Sequence, residues 1–216
     1  MTVAAVILSA TPEGAIAPAD GTPRVRRMAD AAWAGGALPI VVVADDPDGA
    51  VGHALDGSEA RRVPPADPAG GTSAQMAHGV RAALAAVAET DAALIWPARL
   101  CWVDAETLTS LIEAHGVDRD AVLRPAWRGE PGWPVLVPVG LVPTLASVAP
   151  DRMPPDVVAA LADAGLRVVA LELGDPGCVL DAETAAADLP AFEGPPEPAS
   201  GHHHEWGAAA AGASEG

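Results

Sequence analysis

Two short aliphatic runs, Val3–Leu8 and Pro39–Ala44 (PIVVVA), constrain this chain more than anything else in it. Neither run alternates polar with apolar residues, so both faces of each must be covered. That is the pattern of parallel strands packed between layers, and the segment joining the two reads as their crossover. Gly, Pro and Ala dominate Ser9–Gly21, which reads as a loop. Thr22-Pro23 then supplies a cap and a first-position proline for a helix. Val25, Met28, Ala29, Ala32 and Trp33 recur at helical spacing, and Gly35-Gly36 ends the element. Strand, loop, helix and strand make the repeating unit of a parallel sheet.

The alternation continues. Asp45–Gly71 is rich in Pro, Gly and Asp, with a short strand expected at Ala60–Val63. Thr72 or Ser73 caps a helix that carries Met76, Val80, Leu84 and Val87 on one face. Ala92–Trp96 reads as a strand, and Asp104 caps a helix bearing Leu108, Leu111 and Ile112, closed by Gly116. Strands at Ala121–Leu123 and Val135–Val137 flank a turn-rich loop, Arg124–Pro134. Helices are predicted over Leu141–Val148 and Pro155–Ala164, a strand at Arg167–Leu171 and a last helix at Thr184–Leu189. The expected fold is a three-layer α/β sandwich on a mostly parallel sheet, one domain over residues 1–190. Past Pro190 aliphatic residues nearly vanish, which predicts a disordered tail over residues 191–216.

Charge narrows the function classes. The formal net charge is −17, and all twelve basic residues are arginine. Such a balance argues against nucleic acid or an anionic membrane as partner. The absence of lysine excludes a Lys point charge on phosphate and a Schiff base. No apolar run approaches the roughly 20 residues of a membrane helix, and the N-terminus has no basic leader, so a cytoplasmic protein is expected. Cys101 and Cys178 lie far apart without a CxxC pairing and read as buried, reduced thiols.

Several segments in order resemble a known family. Val3-Ala-Ala-Val-Ile-Leu8 resembles its first strand, and Asp20-Gly21-Thr22-Pro23 its D-G-x-P helix start. Gly71–Ala83 is similar to its S-x-x-x-G-x-x-A helix opening. Asp91–Trp96 with Val103–Leu108 matches the strand and helix around its metal site. Gly132-Trp-Pro-Val-Leu-Val-Pro138 resembles G-H-P-V-L, and Leu180–Leu189 resembles D-x-D-T-x-x-D-L. Across residues 3–190 the chain thus resembles the MobA/MocA-like nucleotidyltransferases of the molybdenum cofactor. That resemblance implies a nucleotidyltransferase (GT-A-like, Rossmann-like) fold and transfer of a nucleotidyl group from an NTP onto a phosphorylated, molybdopterin-like acceptor.

The departures fall on the chemistry. The family's L-A-G-G-x-x-x-R-M-G-x-x-K loop is Leu8-Ser-Ala-Thr-Pro-Glu-Gly-Ala-Ile-Ala-Pro18 here. Both glycines are missing, Pro12 removes a donor, Glu13 adds a negative charge, and no cation lies between Met1 and Arg24. Arg99 stands where the family places a magnesium-binding Asp, and Trp133 where it has His. A guanidinium repels Mg²⁺. The sequence therefore divides between two functions. One is a catalytically degenerate homologue that at most binds nucleotide. The other is an active transferase.

The candidate nucleotide-binding residues are Leu8, Ser9, Ala10, Ser73 and Arg99, with Thr11, Gln75 and His78 nearby. Each has a plainer role: a strand–helix connection, a helix cap, or ion pairing for Arg99. Asp181 and Glu183 are the surviving candidate metal ligands, for a weak Mg²⁺ site at most, with helix capping as the alternative. Trp127, Arg128 and Trp133 form a candidate surface for a protein partner, against a self-packed loop. His202–His204 with Glu205 presets no metal geometry.

Overall fold

The computed structural model describes residues 1–195; residues 196–216, which carry His202–His204, Glu205 and most of the expected tail, lie outside the described residues. The first strand, β1 (Thr2–Leu8), is buried along Val3–Ile7, as its unbroken aliphatic run requires. It leads into a short helix, α1 (Pro12–Ile16), and a small hairpin of β2 (Pro18–Ala19) and β3 (Thr22–Pro23). Then come α2 (Arg24–Ala34), β4 (Ile40–Val43), α3 (Ala50–Ala54), β5 (Ala60–Val63), α4 (Gly71–Ala86) and β6 (Thr90–Pro97). The second half holds α5 (Ala105–Val117), β7 (Val122–Trp127), β8 (Glu130–Pro131), β9 (Val135–Pro138), α6 (Val142–Ala146), α7 (Pro154–Asp163) and β10 (Val168–Glu172).

The central sheet runs β5-β4-β1-β6-β9-β7-β10, with β8 hydrogen-bonded to β7. β5, β4, β1 and β6 are mutually parallel, as are β7 and β10; β9 is antiparallel to both neighbours. One face of the sheet is covered by α2 and α5, the other by α4, α6 and α7. This is the expected three-layer α/β sandwich. Among the described residues no helix is long and apolar enough to cross a membrane.

Several local expectations need correcting. Thr22-Pro23 is not the first turn of a helix but the second strand of the hairpin. Asp20 and Gly21 both have positive φ, at 51° and 77°, the pair of angles that a two-residue hairpin loop demands and that Asp-Gly supplies. Trp33 is 51% exposed rather than in the core. The first turn of α4 has Gly70 at its N-cap with no side-chain cap, so neither Thr72 nor Ser73 plays that role. Arg124–Trp127 belongs to β7 rather than to a loop, and the last predicted helix is a single 3₁₀ turn at Ala186–Asp188. The ordered body continues past Pro190, since Glu193 donates its amide to the Gly174 carbonyl at 3.0 Å.

Candidate functional site

The carboxyl ends of β5, β4, β1 and β6 open onto a cleft of about 950 Å³. Open α/β sheets place their ligands there, outside the ends of parallel strands. Its floor is Leu8, Ser9, Ala10, Thr11 and Gly14 after β1, with Val43 and Asp45 after β4 and Pro97, Ala98 and Arg99 after β6. Thr72 and Gln75 of α4 and Met153, Pro154 and Pro155 at α7 form a further wall, and Pro65 and Pro68 follow β5. Arg24, the first residue of α2, completes the lining.

Several donors of the loop after β1 are spent within the protein. The Ser9 amide donates to the Val43 carbonyl at 3.0 Å, and the Ser9 hydroxyl to the Thr11 carbonyl at 2.8 Å. Thr11 caps α1 by accepting from the Gly14 amide at 3.0 Å, while the Ala15 and Ala17 amides donate to the Thr11 and Glu13 carbonyls. Pro12 has no amide to offer. A phosphate cradle needs several unspent N–H groups converging on one point. Here the Gly14, Ala15 and Ala17 amides are spent within the turn and the Ser9 amide on β4, which leaves only the Ala10, Thr11 and Glu13 amides without a partner among the described residues.

Arg99 sits on a turn fixed from three directions. Ala98 donates to Leu8 O at 2.8 Å, Leu100 to Pro97 O at 3.0 Å, and the buried Trp96 Nε1 to Leu100 O at 2.7 Å. Behind it, the Ala182 amide donates to Arg99 O at 2.7 Å and Trp102 Nε1 to Asp181 O at 3.1 Å. Arg27 stacks on Trp102 at 4.8 Å and donates to Cys101 O. The Arg99 guanidinium lies 3.4 Å from the Asp181 carboxylate, with side chains 57% and 30% exposed. A pair that open to water contributes at most ~1 kcal/mol.

Leu8, Ser9, Ala10, Thr11 and Arg99 therefore line one cleft, and Gln75 borders it. Ser73 does not: its side chain is buried, donating to Val148 O at 2.9 Å. Thr72 faces the cleft in its place. Gln75 holds the segment after β5, accepting from Ala66 N at 2.8 Å and donating to Ala66 O at 2.9 Å. His78 contacts Pro64 O instead of the cleft.

A magnesium site does not fit these residues. One Asp181 oxygen accepts from the Glu183 amide at 3.0 Å and the other faces Arg99, while Glu183 itself is exposed and does not line the cleft. Among the described residues no three His, Cys, Asp or Glu side chains converge as a metal-binding group. The Trp/Arg loop is largely self-packed. Trp133 is buried, Trp127 is stacked by Arg128 at 4.6 Å, and Arg128 pairs with Glu193 at 3.1 Å. Trp133 is thus not available to an outside partner. Both cysteines are buried free thiols; burial pushes Cys101 up against the pull of Arg24 and Arg27, and raises Cys178 to about 12.

Arg24 is the residue that sequence reasoning missed. Its distance from Ser9 in sequence hides it, but the hairpin returns the chain so that the Arg24 amide meets Ala17 O at 3.0 Å. The signal was the Asp20-Gly21 turn immediately before it.

Solved structures share this architecture. Rv0371c from Mycobacterium tuberculosis H37Rv, in complex with manganese, is 20% identical, with a TM-score of 0.59 over 80% of this chain and 89% of that one. A 4-diphosphocytidyl-2C-methyl-D-erythritol synthase is 20% identical, with a TM-score of 0.62 over 82% of this chain and 91% of that one. A CMP:2-keto-3-deoxy-manno-octonic acid synthetase complexed with CTP is 13% identical, with a TM-score of 0.61 over 80% of this chain and 90% of that one. No curated protein sequence matches the chain. The family model for the MobA-like NTP transferase domain matches residues 14–172. That match spans well over half of the sequence, and the chain belongs to the MobA-like NTP transferase family.

Proposed function

We propose that this chain is a nucleotide-binding member of its family that does not carry out metal-dependent nucleotidyl transfer. The observation that carries the reading is the loop after β1, whose Ser9, Gly14, Ala15 and Ala17 amides are committed to bonds within the protein. Losing one preorganised donor in a transition state costs roughly 3–4 kcal/mol, two to three decades in rate. Phosphoryl transfer depends mainly on positioning and electrostatics, and Arg99 with Asp181 leaves no anionic oxygen set for a metal. The family match begins only at residue 14, past β1 and the start of that loop.

The retained feature is the cleft itself, at the sheet ends where this fold takes nucleotides. The synthetase neighbour solved with CTP supports a nucleoside triphosphate as ligand class. Purified protein incubated with each labelled NTP, a pterin phosphate acceptor and Mg²⁺ or Mn²⁺ is expected to release no pyrophosphate above background, while calorimetry detects nucleotide binding. Robust turnover would overturn the reading in favour of an active transferase, and its loss in Arg99→Ala would then make Arg99 catalytic.

A further inference from the structure

We infer that the cleft holds a polyphosphate without a metal, between Arg24 and Arg99, and that Asp181 is the resident counter-ion which the ligand displaces from Arg99. The inference rests on the nucleotide reading above and names how the phosphates are held.

Arg24 carries the first part. It lines the cleft, its Nε is shielded from solvent without a hydrogen-bond partner, and among the described residues no carboxylate pairs with it. A guanidinium left in that condition at the wall of a large cleft is short of an anion. Arg99 carries the second part. Its backbone is pinned by the turn after β6, whereas its side chain is more than half exposed and reaches only a single 3.4 Å contact with Asp181. Asp181 in turn is anchored by the Glu183 amide and the Trp102 indole, so it stays in place when Arg99 turns away.

The two arginines line the cleft from different elements, Arg24 from the start of α2 and Arg99 from the turn after β6, and the β1 loop lines the same cleft. Guanidinium groups bind phosphate oxygens bidentately without a metal. Of the described residues lining the cleft only Asp45 is acidic, on the β4 side. Mg²⁺ claims the same oxygens that the arginines read and lowers the charge of the polyphosphate. Metal in excess therefore competes with this site rather than completing it.

The test is calorimetry on the full chain with inorganic tripolyphosphate and with each NTP, in EDTA and in excess Mg²⁺. Arg24→Gln, which keeps the aliphatic stem, and Arg99→Ala are each expected to weaken tripolyphosphate binding about tenfold or more. Asp181→Asn retains the acceptor for Glu183, frees Arg99 and is expected to tighten binding about threefold. Circular dichroism and melting of each variant confirm the fold before binding is read. Binding that requires Mg²⁺, or that ignores both arginines, overturns the clamp while leaving a nucleotide site in place. Unchanged or weaker binding by Asp181→Asn overturns the counter-ion role. Tripolyphosphate held by the arginines while every NTP is refused keeps the clamp and overturns the nucleotide reading. Refusal of all of them overturns both.

Discussion

His115, in the last turn of α5, is buried, and among the described residues neither ring nitrogen has a hydrogen-bond partner. Burial holds its pKa below the ordinary 6.5, with Arg119 pulling the same way and Asp91 and Asp118 partly opposing it. The folded chain therefore keeps a neutral imidazole while the unfolded chain takes up a proton below pH 6.5. The unfolded state then binds more protons, so stability falls as pH drops from 6.5 toward the folded-state pKa; above 6.5 this contribution is complete. Urea titrations across that range are expected to show the loss, and His115→Leu to flatten it by up to about 1.4 kcal/mol per pH unit. An unchanged acid limb in the variant would assign the pH dependence elsewhere. At the residue scale, Leu8, Ser9, Ala10 and Arg99 were legible as residues lining one cleft because each ends or follows a buried strand. The sequence reading failed by one position on α4, because adjacent helical residues point about 100° apart: Thr72 faces the cleft and Ser73 the interior.

Among the elements, β1 and β4 were legible because a strand buried on both faces tolerates no polar residue, and their pairing runs in parallel from Ala5–Ile40 to Leu8–Val43. Val42 lies fully buried in β4. Val42→Asp is expected to unfold the protein or to remove more than about 4 kcal/mol of stability, by leaving a charge unpaired in the core. A near-native melt would contradict the central place of this strand. Helix α4 explains a glycine in the same physical terms. A Cβ at Gly79 would meet Val6 Cγ1 at 2.2 Å, so only glycine lets the helix lie this close to β1. The elements that escaped the sequence are the short ones around the loop. Pro and Gly in Ser9–Gly21 read as breakers, although Thr11-Pro12 capping α1 and the Asp20-Gly21 turn were both present as local signals.

At the scale of the molecule, the body ends later than the compositional break suggests. Gly174, with φ of 67°, packs against the backbone of Gly194, and Glu193 bonds to both Gly174 and Arg128. Truncation after Pro195 is therefore the informative cut, and it is expected to shift the melting temperature by no more than a few degrees, since residues 196–216 supply almost no aliphatic side chain to bury. A drop of ten degrees or more would show that those residues dock on the body. The self-closed turn after β1 has a consequence in time. Its bonds are interlocked: Thr11 caps α1, Ser9 braces Thr11, and Pro12 sets the first helical residue. Opening the turn to an incoming anion therefore requires the Thr11 cap and the Ser9 brace to release together, so the loop is expected to rearrange in one concerted step.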